Sequence, residues 1–243
     1  MKKLFFLFMF LITIQILSAQ TDEKYIVTSQ TLNVRNGEGT EFNVIGKLSK
    51  DDKVVVLEKG QSGWWYIDFD GIKGYVFSKY LIVDPYYGWE ETNYRSGNTS
   101  SCENITPKYD YEIDNYLRVN VGSGTDVVIK LMKIGSYYDE CIRIVYIRSK
   151  DTYDIKNIPE GRYYLKIAYG KDYRKKIVGS QCYVKFMKKA MYEKGTDILD
   201  FNLTRVGNDV YQSSYELSLD VIETIGISQD FKSKDISEEE FNN

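Results

Sequence analysis

The sequence of 243 residues contains no histidine, and it contains only three prolines and three cysteines. Without histidine there is no Ser-His-Asp triad, no Cys-His pair and no imidazole ligand for a metal. The catalytic groups that remain are carboxylates, lysine and tyrosine, together with metal sites built from oxygen ligands. The missing histidine therefore excludes most hydrolase mechanisms.

Long apolar runs are missing as well, apart from one at the N-terminus. Lys2 and Lys3 precede an apolar stretch of about 14 residues, shorter than the roughly 20 that span a bilayer. Ser18 and Ala19 supply the small residues that signal peptidase recognises, so we predict a signal peptide over residues 1–19. We expect an exported protein, periplasmic or secreted, with no membrane span after cleavage. An uncleaved N-terminal anchor is the alternative.

An excess of basic charge is also absent. The chain has 32 basic and 35 acidic residues, for a formal net charge of −3, and the two signs are mixed along the sequence. Nucleic-acid binding depends on a basic patch or stripe that neutralises phosphates. We therefore expect no nucleic-acid partner.

The remainder of the chain is rich in β-branched and aromatic residues, with turn signals about every 8–12 residues, a pattern typical of all-β proteins. We predict a small SH3-like barrel over residues 25–83, a linker or irregular loop over 84–110, and a β-sandwich over 111–226. A polar, acidic tail over residues 227–243 is expected to be flexible. The best helical candidate is residues 186–194, and a strand end followed by a loop is the equal alternative.

The first domain alternates short strands with tight turns, and Asp70-Gly71 is a strong hairpin signal. Its motifs, in order, are Leu32–Arg35, Val44–Gly46 with Leu48, Val54–Val56, Gly63–Ile67, and Gly71 with Gly74–Val76 and Ser78–Leu81. In this order and spacing they resemble the bacterial SH3 domain. Two positions depart from that family, because no proline follows Arg35 and because Tyr75 stands where tryptophan is common.

The resemblance implies binding of a cell-wall peptide or an envelope protein rather than catalysis. A ligand groove needs exposed aromatic rings beside polar groups. We predict Trp65, Tyr75 and Tyr80 near such a groove, with polar contacts from Asn36 and Glu38 in the glycine loop. Strand alternation places Trp64 and Tyr66 on one face and Trp65 and Ile67 on the other. The alternative is that the aromatic residues fill the barrel core or pack against the second domain.

The second domain shows seven or eight strand-like runs, which suggest a β-sandwich. The sparse polar residues of Asp126–Lys133 predict a strand buried on both faces or an inner sandwich strand. The Pro159-Glu160-Gly161 turn before an aromatic strand weakly resembles prealbumin-like and carboxypeptidase-regulatory-like sandwiches, and that resemblance carries no active site. The basic run 171–176 is expected to be a loop that serves solubility.

Acidic residues and cysteines are the remaining candidates for chemistry. Asp110, Glu112 and Asp114 predict a solvated acidic face, and the alternatives are an oxygen-only calcium site or a carboxylate catalyst. We otherwise predict no metal and no cofactor. Three cysteines allow one disulfide, and Cys141 with Cys182 is slightly favoured because both lie in strand-like runs. Three buried free thiols are the alternative.

We conclude from the sequence that this is an exported, non-catalytic binding protein of two β modules. Its SH3-like barrel would contact a cell-wall peptide or envelope protein, and its sandwich would have a structural or binding role. Two alternatives stay open: a cell-wall hydrolase that uses carboxylates instead of histidine, and a scaffold within an envelope protein complex.

Overall fold

A computed structural model describes residues 24–222, 226–229 and 232–243. The chain divides into two compact units, with the boundary between Tyr87 and Gly88. Both units are built from β-strands, and the described residues contain a single short α-helix. The all-β prediction of a small barrel and a sandwich is confirmed. The predicted signal peptide lies outside the described residues.

The first unit is a seven-stranded antiparallel sheet. Its strands are β1 (Lys24–Val27), β2 (Thr31–Arg35), β3 (Val44–Ser49), β4 (Lys53–Lys59), β5 (Trp64–Phe69), β6 (Ile72–Phe77) and β7 (Leu81–Val83). Their order across the sheet is β3-β2-β6-β5-β4-β1-β7. A 3-10 turn over Ser78–Tyr80 separates β6 from β7.

One side of this curled sheet encloses an apolar core. The core side chains are Tyr25, Val27, Leu32, Val34, Leu48, Val54, Ile67, Val76 and Leu81. Most of them occupy alternate strand positions, as the period of two requires. The β5–β6 hairpin turns at Asp70 and Gly71, whose φ angles are 48° and 87°. Positive φ at both central residues defines the tight type I′ turn that Asp-Gly favours.

The second unit contains two larger sheets and a small ribbon. Its elements are β8 (Glu90–Glu91), β9 (Tyr116–Val121), β10 (Asp126–Lys133), β11 (Glu140–Ile147), β12 (Thr152–Lys156), β13 (Arg162–Val178), β14 (Gln181–Gly195), β15 (Leu199–Asp200), β16 (Thr204–Val206), β17 (Asp209–Tyr211), β18 (Tyr215–Ile222), β19 (Gly226–Gln229), β20 (Ser233–Asp235) and α1 (Glu238–Asn242). The larger sheet runs β11-β10-β13-β14-β20, with β15 and β8 also paired to β13. The smaller sheet runs β12-β9-β18-β19, and β16 pairs with β17.

The main core of the second unit lies between these two sheets. The smaller sheet contributes residues such as Leu117, Val119 and Leu217, and the larger sheet contributes residues such as Ile129 and Ile167. In the smaller sheet, β9 and β18 run parallel, whereas the other pairs in both sheets are antiparallel. Two sheets packed through alternating apolar residues define a β-sandwich.

The outer face of the larger sheet is also buried. A second apolar cluster there includes Val128, Ile144 and Tyr173, and Phe241 of α1 packs into it at 5% exposure. This cover explains why β10 is buried from Val127 to Met132 without alternation, as its sequence predicts. It also buries Lys166, whose Nζ donates to the Glu240 carbonyl at 2.6 Å.

Four local expectations differ from the structure. Part of the expected linker, beyond Gly88, belongs to the second unit: β8 pairs with β13, and Asn98 bridges to Tyr146. The expected flexible tail forms β20 and α1 over residues 233–242, because Phe241 has an apolar face to cover. Residues 186–194 continue β14, and the basic run 171–176 lies in β13, because the two strands pair along nearly their whole lengths.

Candidate functional site

The first unit carries a groove of about 580 Å³. Its lining comes from β2, from the loop between β2 and β3, and from the ends of β5 and β6 with the following turn. The lining residues are Thr31, Leu32, Asn33, Arg35, Glu38, Gly39, Thr40, Glu41, Trp64, Phe77 and Tyr80. A volume of this size lies within the range of small-ligand sites.

Three aromatic side chains form one side of the groove. Trp64 and Phe77 are cross-strand partners in β5 and β6, and their ring centroids are 5.6 Å apart. Tyr80 follows in the 3-10 turn, with its ring 6.2 Å from that of Phe77, and it is 38% exposed. Rings packed against one another present an apolar surface to a ligand. Because their side chains are already ordered, little further conformational entropy is lost on binding.

Much of the remaining lining of the groove is polar. The loop between β2 and β3 carries Glu38 and Glu41, and the Ser62 hydroxyl donates to Glu38 Oε2 at 2.6 Å. Arg35 Nη1 donates to the Phe42 carbonyl at 2.7 Å, which ties the far end of the loop to β2. The groove therefore combines aromatic rings with two carboxylates and one guanidinium, and the polar side chains are held by contacts within the unit.

The structure brings only part of the predicted ligand-binding set to this groove. Glu38 and Tyr80 line it. Asn36 is exposed in the same loop, with its backbone N–H bonded to the Asn43 carbonyl at 3.1 Å, and it is not among the lining residues. Tyr75 lies on the outer face of β6 next to the groove, where its ring is 5.0 Å from that of Tyr66. The binding role of these residues stays a prediction.

Trp65 differs most from its predicted position. Its ring packs edge-on against Tyr25 with centroids 5.3 Å apart, and it contacts the barrel core. Trp64 therefore takes the position at the groove that the sequence interpretation assigned to Trp65. The signal was present in the strand: the face of Trp65 continues through Ile67 and Phe69, whereas the face of Trp64 ends at Asp68. The wholly apolar face is the one that turns inward.

The acidic triplet of the second unit does not form a metal site. Across the described ranges, no group of three or more His, Cys, Asp or Glu side chains could hold a metal ion. Asp110 Oδ1 instead accepts the backbone N–H of Glu112 at 3.1 Å, and the Asp114 carbonyl accepts from Gln212. The three acids lie in a turn ahead of β9 rather than along one extended segment.

The disulfide joins Cys102 to Cys182, and Cys141 is a free thiol. The favoured pairing of Cys141 with Cys182 is therefore wrong. Cys141 lies near the start of β11 and Cys182 near the start of β14, and these strands are separated by β10 and β13 in the larger sheet. Cys102 lies in the irregular stretch between β8 and β9 and reaches Cys182 of β14 directly, with Cα atoms 4.9 Å apart.

The described residues of the second unit also line cavities. One, of about 400 Å³, is lined by the disulfide and by residues that include Trp89, Lys185 and Glu238. Another, of about 630 Å³, lies on the smaller sheet and is lined by polar residues of β9, β12 and β18. Among the residues that the structure describes, no helix has the length and apolar character to cross a membrane.

A small antiparallel barrel with an aromatic groove defines the first unit as an SH3-like domain. The family model of the bacterial SH3 domain matches residues 30–82. This part of the chain therefore belongs to the bacterial SH3 domain family, as the motifs between Leu32 and Leu81 predict.

Two curated relatives show the extent of similarity. The chain is 29% identical to Putative N-acetylmuramoyl-L-alanine amidase YrvJ of Bacillus subtilis over 125 residues, which is 49% of this chain and 23% of that protein. It is 40% identical to Myosin-1 of Laccaria bicolor over 48 residues, which is 20% of this chain and 4% of that protein. The chain thus spans less than a quarter of either relative.

Proposed function

We propose that this chain is an exported bacterial protein whose SH3 domain binds a peptide of the cell wall. Residues 30–82 match the bacterial SH3 domain, and the relative YrvJ carries the name Putative N-acetylmuramoyl-L-alanine amidase. Residues 1–19, with the pattern of a signal peptide, would carry the protein to the periplasm or the cell exterior.

The observation that carries the proposal is the groove itself. Trp64, Phe77 and Tyr80 line it together with Glu38 and Glu41 of the loop between β2 and β3. Aromatic rings bury the apolar parts of a ligand, while carboxylates accept hydrogen bonds from amide and ammonium donors. A short peptide with an exposed amino group supplies both kinds of contact.

We further propose that the protein binds this material without cleaving it. The chain has no histidine to serve as a general base or as a metal ligand. In the groove, the Ser62 hydroxyl already occupies one carboxylate oxygen of Glu38. A role in binding requires only the surface that these side chains present.

The test uses sugar-free peptides released from purified peptidoglycan and titrated into the full chain by calorimetry. Wild type is expected to bind them saturably, and Trp64→Ala and Tyr80→Ala are each expected to weaken binding at least about tenfold, since aromatic anchors dominate such sites. Tyr111→Ala is the matched control, because Tyr111 is a 76% exposed tyrosine of the second unit.

The outcomes separate the possibilities. Loss in the two groove variants with retention in the control supports peptide binding in the groove. No binding of wall peptides by the folded wild-type chain would refute the wall ligand and favour an envelope protein as the partner. Appearance of new amino or reducing ends after incubation with intact peptidoglycan would refute the non-catalytic role.

A further inference from the structure

The second unit carries a polar depression of about 630 Å³ on the outer face of its smaller sheet. The face is built by alternation, because β9, β12 and β18 turn their apolar residues into the sandwich core and their polar residues outward. The lining residues are Arg118, Asn120, Thr152, Tyr153, Asp154, Lys156 and Glu216.

Hydrogen bonds across the strands fix these side chains. Arg118 donates two hydrogen bonds to Asp154, from Nε to Oδ1 at 2.8 Å and from Nη2 to Oδ2 at 3.0 Å. Asn120 Nδ2 donates to Glu216 at 2.8 Å, and the Thr152 hydroxyl donates to Asn120 Oδ1 at 2.7 Å. The depression therefore presents a set of planar polar groups whose orientations are established before a ligand arrives.

The charges of this face are balanced. Arg118 and Lys156 are cations, Asp154 and Glu216 are anions, and the Arg118 charge is already paired with Asp154. An ionic ligand needs an uncompensated charge to bind against. The core of a protein interface is depleted of charged residues, whereas four of these seven lining side chains are charged.

A neutral, polyhydroxylated ligand matches this arrangement. Each hydroxyl group of a sugar both donates and accepts hydrogen bonds. It therefore binds well where the protein places donor and acceptor groups next to each other. The carboxylate of Glu216, the amide of Asn120 and the guanidinium of Arg118 supply that alternation around a volume suited to a small ligand. We propose that this face binds a neutral oligosaccharide.

This site is argued from the second unit alone, and it does not require the SH3 groove to bind a peptide. If both proposals hold, the two units contact the two chemical parts of one wall polymer, with the peptide in the groove and the sugar on the sheet. Either site can be lost without the other, so their failures are distinguishable.

The test titrates chitotetraose and cellotetraose, two neutral β-linked oligosaccharides, into the full chain and follows binding by calorimetry and by NMR chemical shifts. Saturable binding of at least one of them is expected. Asn120→Ala and Glu216→Gln should each weaken binding about tenfold, the effect of removing one or two hydrogen bonds. Thermal melting of each variant checks that the sandwich remains folded.

Two control variants test whether the effect is specific to the depression on the smaller sheet. Lys185→Ala changes the other cavity of the second unit, and Trp64→Ala changes the SH3 groove; both should bind the sugar as wild type does. Absence of saturable binding of both sugars at millimolar concentration by the folded chain would overturn the proposal. Binding that is unchanged in both Asn120→Ala and Glu216→Gln would also overturn it, because the sugar would then lie elsewhere.

Discussion

Trp64 and Trp65 are neighbours in β5, yet Trp64 lines the groove while the Trp65 ring packs edge-on against Tyr25 at a centroid distance of 5.3 Å. The two substitutions are therefore expected to separate binding from stability. Trp65→Ala should lower the free energy of unfolding of the first unit by about 2–3 kcal/mol, because it removes a half-buried ring.

Trp64→Ala should leave the stability of the first unit within about 1 kcal/mol of wild type, because its ring borders an open groove. Urea unfolding followed by far-UV circular dichroism measures both variants. Equal loss of stability in the two would contradict the assignment of opposite faces.

Asp84 makes the stability of the first unit sensitive to acid. Burial alone would raise the pKa of this carboxyl, but Lys53 Nζ at 2.9 Å and the backbone N–H of Tyr86 outweigh it and hold the pKa below its ordinary value of 3.8. Because the folded pKa lies below that of the unfolded chain, the stabilisation is complete above about pH 4 and is lost as the pH falls through the folded pKa.

Asp84→Asn is expected to lower the free energy of unfolding of the first unit by about 1–3 kcal/mol at pH 7, because a charged hydrogen bond is lost. The free energy of unfolding of this variant should also fall less steeply than that of wild type as the pH is lowered. Unfolding between pH 2 and pH 7, followed by tryptophan fluorescence, measures this. Lys24→Ala removes a smaller contribution to the lowered Asp84 pKa and should flatten the pH dependence less than Asp84→Asn does. A mutant profile as steep as that of wild type would show that another group governs the acid loss.

The disulfide should stabilise the second unit because it closes a long loop and so restricts the unfolded chain. Cys102 and Cys182 are 80 residues apart in sequence, and a loop of this length restricts the unfolded chain by about 4 kcal/mol in the entropic model. The Cys102→Ser/Cys182→Ser double variant should therefore melt at a lower temperature than wild type, whereas Cys141→Ser should change it less.

Peptide mapping under non-reducing conditions tests the pairing directly. The oxidised, unfolded chain should yield one titratable thiol, and the cross-linked peptide should contain Cys102 and Cys182. A cross-linked peptide containing Cys141 would contradict the pairing.

Cys141 is expected to react slowly with alkylating reagents while the chain is folded. Burial raises its thiol pKa to about 11, so the reactive thiolate is scarce at pH 8. The rate with iodoacetamide should rise with pH up to about pH 11, and it should rise at once when urea unfolds the chain at pH 8. A folded-state rate at pH 8 equal to the unfolded rate would refute this prediction.

Phe241 anchors the C-terminal helix to the larger sheet. Its ring lies 5.4 Å from that of Tyr192, and Lys130 Nζ is 4.7 Å from its centroid. Phe241→Ala should lower the free energy of unfolding of the second unit by up to about 3 kcal/mol. The loss will be smaller if detaching the helix from the sheet costs less than that. Hydrogen exchange of residues 233–242 should accelerate in this variant and not in Glu239→Ala, whose side chain is exposed.

Local patterns in the sequence suffice to predict much of this fold. The Asp70-Gly71 turn, the alternation of β5 and the doubly buried Val127–Met132 run all follow from short-range rules that hold wherever the segment lies. The cover over the larger sheet could not be predicted in this way. Residues 88–110 and 232–243 are polar and show no regular apolar pattern in the sequence, and distant partners such as Tyr146 and Lys166 order them.

For the candidate groove, too, some features follow from the sequence and others depend on tertiary contacts. The sequence identifies an SH3 domain and places Glu38 and Tyr80 in motifs of the correct loop and turn. It also shows that Trp64 and Trp65 face opposite ways, because alternation is a property of the strand itself. The composition of the two faces also indicates which one turns inward, because the face of Trp65 continues through Ile67 and Phe69. Which residues join Trp64 in the groove depends on contacts between segments far apart in sequence, such as Phe77 of β6 and Glu38 of the loop after β2.

By itself, then, the sequence determined that this chain has no histidine, folds as two β modules and contains a bacterial SH3 domain. Only the tertiary structure decided that Cys102 pairs with Cys182, that Glu38 and Phe77 join Trp64 in one groove, and that Arg118, Asn120 and Glu216 share one polar face. The physical reason is that these relationships join residues from different strands, and their distances are set by sheet pairing and sandwich packing rather than by any local pattern.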